Sequence, residues 1–172
     1  MHQATVSAHL PVGICALSAS INGLTAVRLG ERVEEEKGPQ EAQRILERAV
    51  DQLQAYFAGE LQDFDLPLDL TGRTEFQRRV LQACSQVPYG RIASYSEIAA
   101  RAGSPLAARA VGQVMAQNRL ALVIPCHRVV GSSGHLVGYG YGLAVKERLL
   151  RMEREGSSWQ NGPPPLMLEN TP

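Results

Sequence analysis

Residues 94–117 read SYSEIAARAGSPLAARAVGQVMAQ, and this stretch decides how the second half of the chain folds. Two helical runs, Ser94–Ala102 and Pro105–Gln117, stand on either side of Gly103-Ser104, a break with room only for a tight turn. That is the spacing of a helix-turn-helix. Ala107, Ala108, Ala110, Val111, Gly112 and Ala116 leave the second run nearly bare of the long polar side chains that read base edges in a major groove. A helix this slim suits close approach to a narrower groove, and it equally suits tight packing in a core. The pattern alone leaves both open.

Working outward, a helix is expected over Thr74–Val87, with Thr74 as N-cap and Phe76, Val80, Leu81, Cys84 and Val87 on its inner face. Cys84 on that face reads as a small core residue. Pro88-Tyr89-Gly90 ends the helix. Downstream, the apolar run Leu120–Ile124 reads as a strand that delivers Pro125-Cys126-His127-Arg128-Val129-Val130. A glycine-rich loop, Gly131–Gly142, holds Tyr139 and Tyr141. A last helix, Leu143–Glu155, turns Val145, Leu149 and Leu150 inward, and the tail 156–172, with Pro163-Pro164-Pro165, reads as flexible.

The first half has a different texture. Val12–Ser18 and Leu24–Leu29 read as strands joined at Asn22-Gly23, a dipeptide that tolerates the positive φ angles of a hairpin turn. Glu31–Pro39 reads as a charged loop. Ile45, Leu46, Ala49, Val50, Leu53, Tyr56 and Phe57 make one apolar stripe along a helix over Glu41–Phe57. Breaks between Asp63 and Gly72 place the domain boundary near residue 70, giving domains over 1–70 and 71–155 and a tail over 156–172. Charge divides along the same line. Residues 1–70 carry five basic and eleven acidic side chains, residues 71–172 twelve and six, and all the later cations but Lys146 are arginines. Such a half permits contact with a polyphosphate without proving it.

Hydrophobic content of 44% and charged content of 20% exclude a disordered chain. No stretch approaches the roughly 20 apolar residues of a membrane span, and no basic run precedes the mildly apolar His9–Ser20, so neither a membrane partner nor a secretory signal is expected. Cys15, Cys84 and Cys126 are odd in number and far apart, which argues for a reducing, cytoplasmic compartment. His2, His9 and His135 make no ligand spacing with them, so no metal site is expected.

Cys126 carries the chemical interest. A cysteine beside a histidine, with Arg128 next to it and Arg109 earlier in the chain, has cationic neighbours that lower a thiol pKa. It is a candidate nucleophile, and a buried structural cysteine is the alternative. Neighbours on a strand point to opposite faces, so contact between Cys126 and His127 needs a bridging water.

Ile124-Pro125-Cys126-His127-Arg128-Val129-Val130 resembles the signature of the O6-alkylguanine-DNA alkyltransferases (methylated-DNA–protein-cysteine methyltransferases). Phe76-Gln77, Val87-Pro88-Tyr89-Gly90, Ser94-Tyr95, Arg109-Ala110-Val111-Gly112, Asn118 and the run Gly142, Lys146, Leu149-Leu150, Glu153 follow in that family's order and spacing. The likeness is strong over Thr74–Glu155 and loose before it. It implies an α/β N-terminal domain with a small antiparallel sheet, and a mainly α C-terminal domain containing a winged-helix-like helix-turn-helix. It also implies repair by direct reversal on double-stranded DNA containing O6-alkylguanine, with O4-alkylthymine as a further substrate. A monomer acting once, without a cofactor, would suffice.

The resemblance also implies roles. Cys126 accepts the alkyl group, and His127 acts through a water as its base, oriented by Glu153, whose place near a helix C-terminus opposes the helix dipole. Tyr95 bonds the purine and shares the proton that the leaving guanine takes up. Asn118 holds the loop around the cysteine, and the backbone of Val129 with Tyr139 and Gly140 lines the base pocket. Arg109, Ala110, Tyr95 and Arg128 meet DNA in the minor groove, Arg109 filling the gap left by a flipped base.

Two positions depart from the family's pattern. Gly140 stands where a small polar residue is usual, and Tyr141 where many members have a small one, which narrows the pocket against bulky adducts. Some relatives carry an N-terminal zinc, but only Cys15 here resembles a ligand. Three rivals are separable: a damage-binding relative lacks the cysteine, a cysteine-sensing regulator needs a partner domain, and a cysteine hydrolase turns over repeatedly.

Overall fold

The computed structural model describes residues 2–159, so most of the expected tail lies outside the described residues. The chain divides into two compact units, Met1–Thr71 with Arg119–Val123, and Gly72–Asn118 with the rest from Ile124.

The first unit is a three-stranded antiparallel sheet, β1 (Gln3–Leu10), β2 (Gly13–Ser20) and β3 (Gly23–Leu29), in the order β1-β2-β3. The helix α1 (Gln40–Phe57) buries Ala42, Ile45, Leu46, Ala49, Leu53, Tyr56 and Phe57 against it. The sequence reading missed β1, because its buried face is made by Ala4, Ala8 and Leu10, two of them too small to mark an alternation. The hairpin register pairs Ser20 with Gly23, so the turn is Ile21-Asn22, one residue earlier than expected. Leu120–Ile124 is not a strand. Leu120 makes a single parallel bridge with Val27, and the chain then turns through Leu122, whose φ of 70° is rare for a branched side chain.

The second unit is mostly helical: α2 (Glu75–Ser85), α3 (Tyr95–Arg101), α4 (Ala108–Ala116) and α5 (Leu143–Glu155). Its only sheet among the described residues is a two-residue parallel pair, β4 (Ala93–Ser94) with β5 (Val129–Val130). Capping boxes set two helix starts. Thr74 Oγ1 accepts from the Gln77 N–H at 3.1 Å, and the Gln77 side chain accepts from the Thr74 N–H. Ser94 and Glu97 repeat the arrangement at 3.1 Å in both directions. α3 and α4 pack on each other, as a helix-turn-helix requires. Gly142, with φ of 95°, turns the chain into α5 in a conformation that a β-carbon would disfavour. No described helix is long and apolar enough to cross a membrane.

Ser94 therefore has two tasks, pairing with Val130 and starting the helix whose first residue is Tyr95. Ser94→Ala should cost about 1 kcal/mol through the lost cap. A urea melt should show the lower midpoint; an unchanged midpoint would mean that the β4–β5 pair alone fixes this end of α3.

Candidate active site

Pro125 has no N–H to give, and the chain tightens just after it. The Cys126 N–H donates to Ile124 O at 2.8 Å and the Arg128 N–H to Pro125 O at 2.9 Å, winding Cys126–Arg128 into one 3-10 turn. With three residues per turn, consecutive side chains diverge by about 120°. Cys126, His127 and Arg128 leave the backbone in three directions, and all three are buried. This replaces the strand geometry expected from the sequence. The turn runs into β5, whose pairing with β4 brings Ser94, and with it Tyr95, alongside the cysteine.

Cys126 lines a cavity of about 300 Å³. Tyr95 enters it from α3, Gly112, Met115 and Ala116 from α4, and Asn118 from just beyond α4. The loop residues Gly138–Tyr141 complete the lining. The bareness of α4 thus has a local reason: small residues leave room for this cavity. A larger space of about 570 Å³ in the first unit, between β1 and α1, is lined by neither cysteine nor histidine. Size does not mark the chemical site.

Behind the turn, the His127 Nε2 lies 2.8 Å from Glu153 Oε2. Arg128 grips the same carboxylate with two parallel bonds, Nε to Oε1 at 2.7 Å and Nη2 to Oε2 at 2.9 Å. Its Nη1 donates to Val87 O at 2.8 Å, and the guanidinium carbon stands 5.7 Å from the centroid of the Tyr89 ring. Burial alone would raise the Glu153 pKa, but His127 and Arg128 outweigh it and hold the carboxyl at about 2. Glu153 is therefore an acceptor only, which places the proton of a neutral His127 on Nε2. His127 is fully buried, and burial keeps its pKa below the ordinary 6.5 despite Glu153. Its Nδ1 carries the lone pair and has no hydrogen-bond partner among the described residues.

The thiol differs from the sequence expectation. Cys126 is 8% exposed, and burial pushes its pKa above the ordinary value. An Asn118 side-chain hydrogen bond, the Lys146 charge and the backbone N–H groups of Cys126 and His127 recover only part of this. The arginines do not serve as expected. Arg128 spends its donors on Glu153 and Val87, and Arg109 is an exposed residue of α4. The resting thiol is neutral and needs a base.

Tyr95, Asn118, Cys126, Tyr139 and Gly140 come together around the cavity. The Asn118 Nδ2 donates to Ile124 O at 3.1 Å, tying the cysteine's approach. Tyr95 donates to Val137 O at 3.2 Å. Burial raises the pKa of Tyr139 well above its ordinary value, and its hydroxyl has no hydrogen-bond partner among the described residues. Val129 is fully buried outside the cavity lining, and its carbonyl accepts from Lys146. Arg109 and Ala110 stand on α4, exposed and half-buried. Arg128 departs from the expected DNA contact: its guanidinium is 5% exposed and turned inward onto Glu153 and Val87 O, away from any groove-facing surface. Lys146 was missed as a site residue. Its signal was its place on the helical stripe of Lys146, Leu149 and Glu153, where a charge stands on an apolar face. The buried residues of α5 are this stripe with Glu147 and Met152; Val145 and Leu150 are only half-buried. No group of three His, Cys, Asp or Glu among the described residues is placed to hold a metal ion.

Two family models match. The 6-O-methylguanine DNA methyltransferase ribonuclease-like domain covers residues 5–70 and the corresponding DNA-binding domain residues 75–155. The chain belongs to the O6-methylguanine-DNA methyltransferase family. A methylated-DNA–protein-cysteine methyltransferase of Mycolicibacterium paratuberculosis is 49% identical over 149 residues, 86% of this chain and 90% of that protein. One from Methanosarcina acetivorans is 42% identical over 83% of this chain and 93% of its own length. Among solved structures, Mycobacterium tuberculosis OGT in complex with DNA matches with a TM-score of 0.77 at 43% identity, covering 92% of this chain and 96% of that one. The antiparallel sheet with its helix, followed by a helical DNA-binding domain, is thus the family's fold as well as the one expected from the sequence.

The Glu153 cluster has a signature in acid. A carboxyl held at about 2 against an ordinary 4.5 contributes stability that is complete above pH about 4.5 and is lost as pH falls toward 2. Buried neutral His127 adds a loss that begins below about 6.5. Urea melts across this range should show both slopes in the parent protein, and only the upper one in Glu153→Gln. Arg128→Met should cost about 3–5 kcal/mol at neutral pH, because it strips the charge partner from a buried carboxylate. A loss under about 1 kcal/mol would show that water reaches Glu153.

Proposed function

We propose that this chain repairs alkylated DNA by moving the alkyl group from O6 of guanine, and from O4 of thymine, onto Cys126, once per molecule. What carries the reading is a neutral thiol in a base-sized cavity with a buried neutral histidine bonded to an ionised glutamate behind it, in a chain of this family. Double-stranded DNA is the partner; the DNA complex of the tuberculosis relative supports that choice. A single chain acts alone in the cytoplasm.

The chemistry follows from the atoms present. The thiol proton passes through a water to His127 Nδ1, and the resulting imidazolium is stabilised by Glu153 through Nε2–H. The thiolate attacks the alkyl carbon. The S–C bond forms as the C–O6 bond breaks, and the electron pair leaves with guanine. Burial raises the Tyr95 pKa and keeps its hydroxyl a donor, so it shares its hydrogen with the purine as negative charge develops there. The thioether does not break again, which makes the reaction stoichiometric. No cofactor enters.

A thiol this buried cannot reach a base inside the stack, so the nucleotide must be extruded. α4 presents small residues to a minor groove, and Arg109, exposed on it, fills the vacated space. Tyr139 and Gly140 wall the pocket. Tyr141 on the same wall narrows it against bulky adducts.

Mixing the protein with a duplex containing O6-methylguanine should add about 14 Da to the intact mass, mapped to Cys126, since one methyl replaces one hydrogen. Cys126→Ser should bind the duplex and gain nothing. Label on Cys15 or Cys84, or undiminished gain in the serine variant, would overturn the assignment.

Arg109→Ala should slow transfer from duplex far more than from free O6-methylguanine, a ligand small enough to pass Tyr141, because a free base has no stack to leave. The deficit should shrink when the lesion faces a mismatch. Equal losses on both substrates would assign Arg109 to the pocket and end the flipping role.

A further inference from the structure

Lys146 is fully buried on α5, and no carboxylate pairs with it among the described residues. Its Nζ donates to three carbonyls, Val129 O at 2.6 Å, Val137 O at 3.1 Å and Gly138 O at 3.2 Å. An ammonium has three N–H groups, so the donor set is complete. The acceptors lie on two separate stretches: Val129, in β5, follows the nucleophile's turn, and Val137 and Gly138, within the loop, lead into the cavity wall that carries Tyr139, Gly140 and Tyr141.

Val137 O has a second donor, the Tyr95 hydroxyl at 3.2 Å. Tyr95 cannot keep that bond and also give its only hydrogen to a purine. We propose that Lys146 is a positioning residue for alkyl transfer, a strap that holds the wall of the base pocket to the nucleophile's turn while Tyr95 exchanges Val137 for the substrate. The proposal rests on the transfer reading above. Without Lys146, engaging the substrate would leave Val137 O without either of these two donors and the wall free to drift from the thiol. A methionine of similar length would fill the same space and tie nothing.

The strap is also a charge. Burial lowers the Lys146 pKa to about 8, and negative charge on Cys126 or Cys84 opposes that fall. In return Lys146 favours the Cys126 thiolate. The other groups bearing on this thiol and its base are Cys84 on α2, Tyr95 on α3, Tyr139 in the loop, and the His127–Arg128–Glu153 cluster. Among them only Lys146 both touches the loop and carries a cation toward the sulfur.

The test compares the full chain with Lys146→Met. Amide hydrogen exchange across Val137–Tyr141 should speed up at least about tenfold while α1 and α2 stay protected. The pH midpoint of Cys126 labelling by iodoacetamide should rise by about one pH unit, which loss of packing alone would not produce. The proposal fails if the loop exchanges as in the parent, and it fails if the loop loosens with the midpoint unmoved. Should Lys146→Met not fold, Tyr95→Phe decides. Loop exchange within about twofold of the parent supports a strap that works without Tyr95, and a tenfold rise overturns it. None of these measurements uses DNA, so their failure is distinct from failure of methyl transfer.

Discussion

Glu153 is a carboxylate sealed from water, and the chemistry of the second unit is organised around keeping it charged. Alone in such a place it would take up a proton. Two parallel bonds from Arg128 and one from His127 prevent this, and Arg128 is itself fixed by Val87 O and the Tyr89 ring. The end of α2, the 3-10 turn and α5 are thereby joined through one ion. That ion decides the histidine tautomer, and the tautomer decides which nitrogen can take a proton. The proposed chemistry and the fold of the second unit share a single anchor.

The thiol follows a different strategy from a cysteine activated by nearby cations. Burial keeps it protonated at rest, and the base beside it waits in its neutral form. On the proposed reading, in which the sulfur is used once, this is an advantage: a protonated sulfur reacts slowly with stray electrophiles and oxidants, so the single equivalent would be conserved until a substrate fills the cavity.

What the sequence disclosed depended on how local the physics was. Thr74 and Gln77, or Ser94 and Glu97, act over one turn, and their helices begin where the residue types say they should. The α1 stripe was legible for the same reason, since burial repeats every three or four residues. β1 was hidden because alanines bury too little to print a period. Arg128 reads as a surface cation until α5 supplies a carboxylate 25 positions away. Lys146 reads as a solubilising residue until three carbonyls converge on it. Family likeness found the signature residues, but only the folded chain shows that Arg128 turns inward and that Cys126 stands on a 3-10 turn and not on a strand.

The sealed carboxylate has a consequence for how this protein responds to selection. Replacing His127 by an apolar ring would take one donor away from buried Glu153 and leave only the two bonds from Arg128. Variants enriched for heat resistance alone would therefore tend to keep the imidazole for the sake of the carboxylate. On the proposed reading the same bond serves the chemistry, so selection for a robust second unit and selection for a usable thiol pull one residue in the same direction.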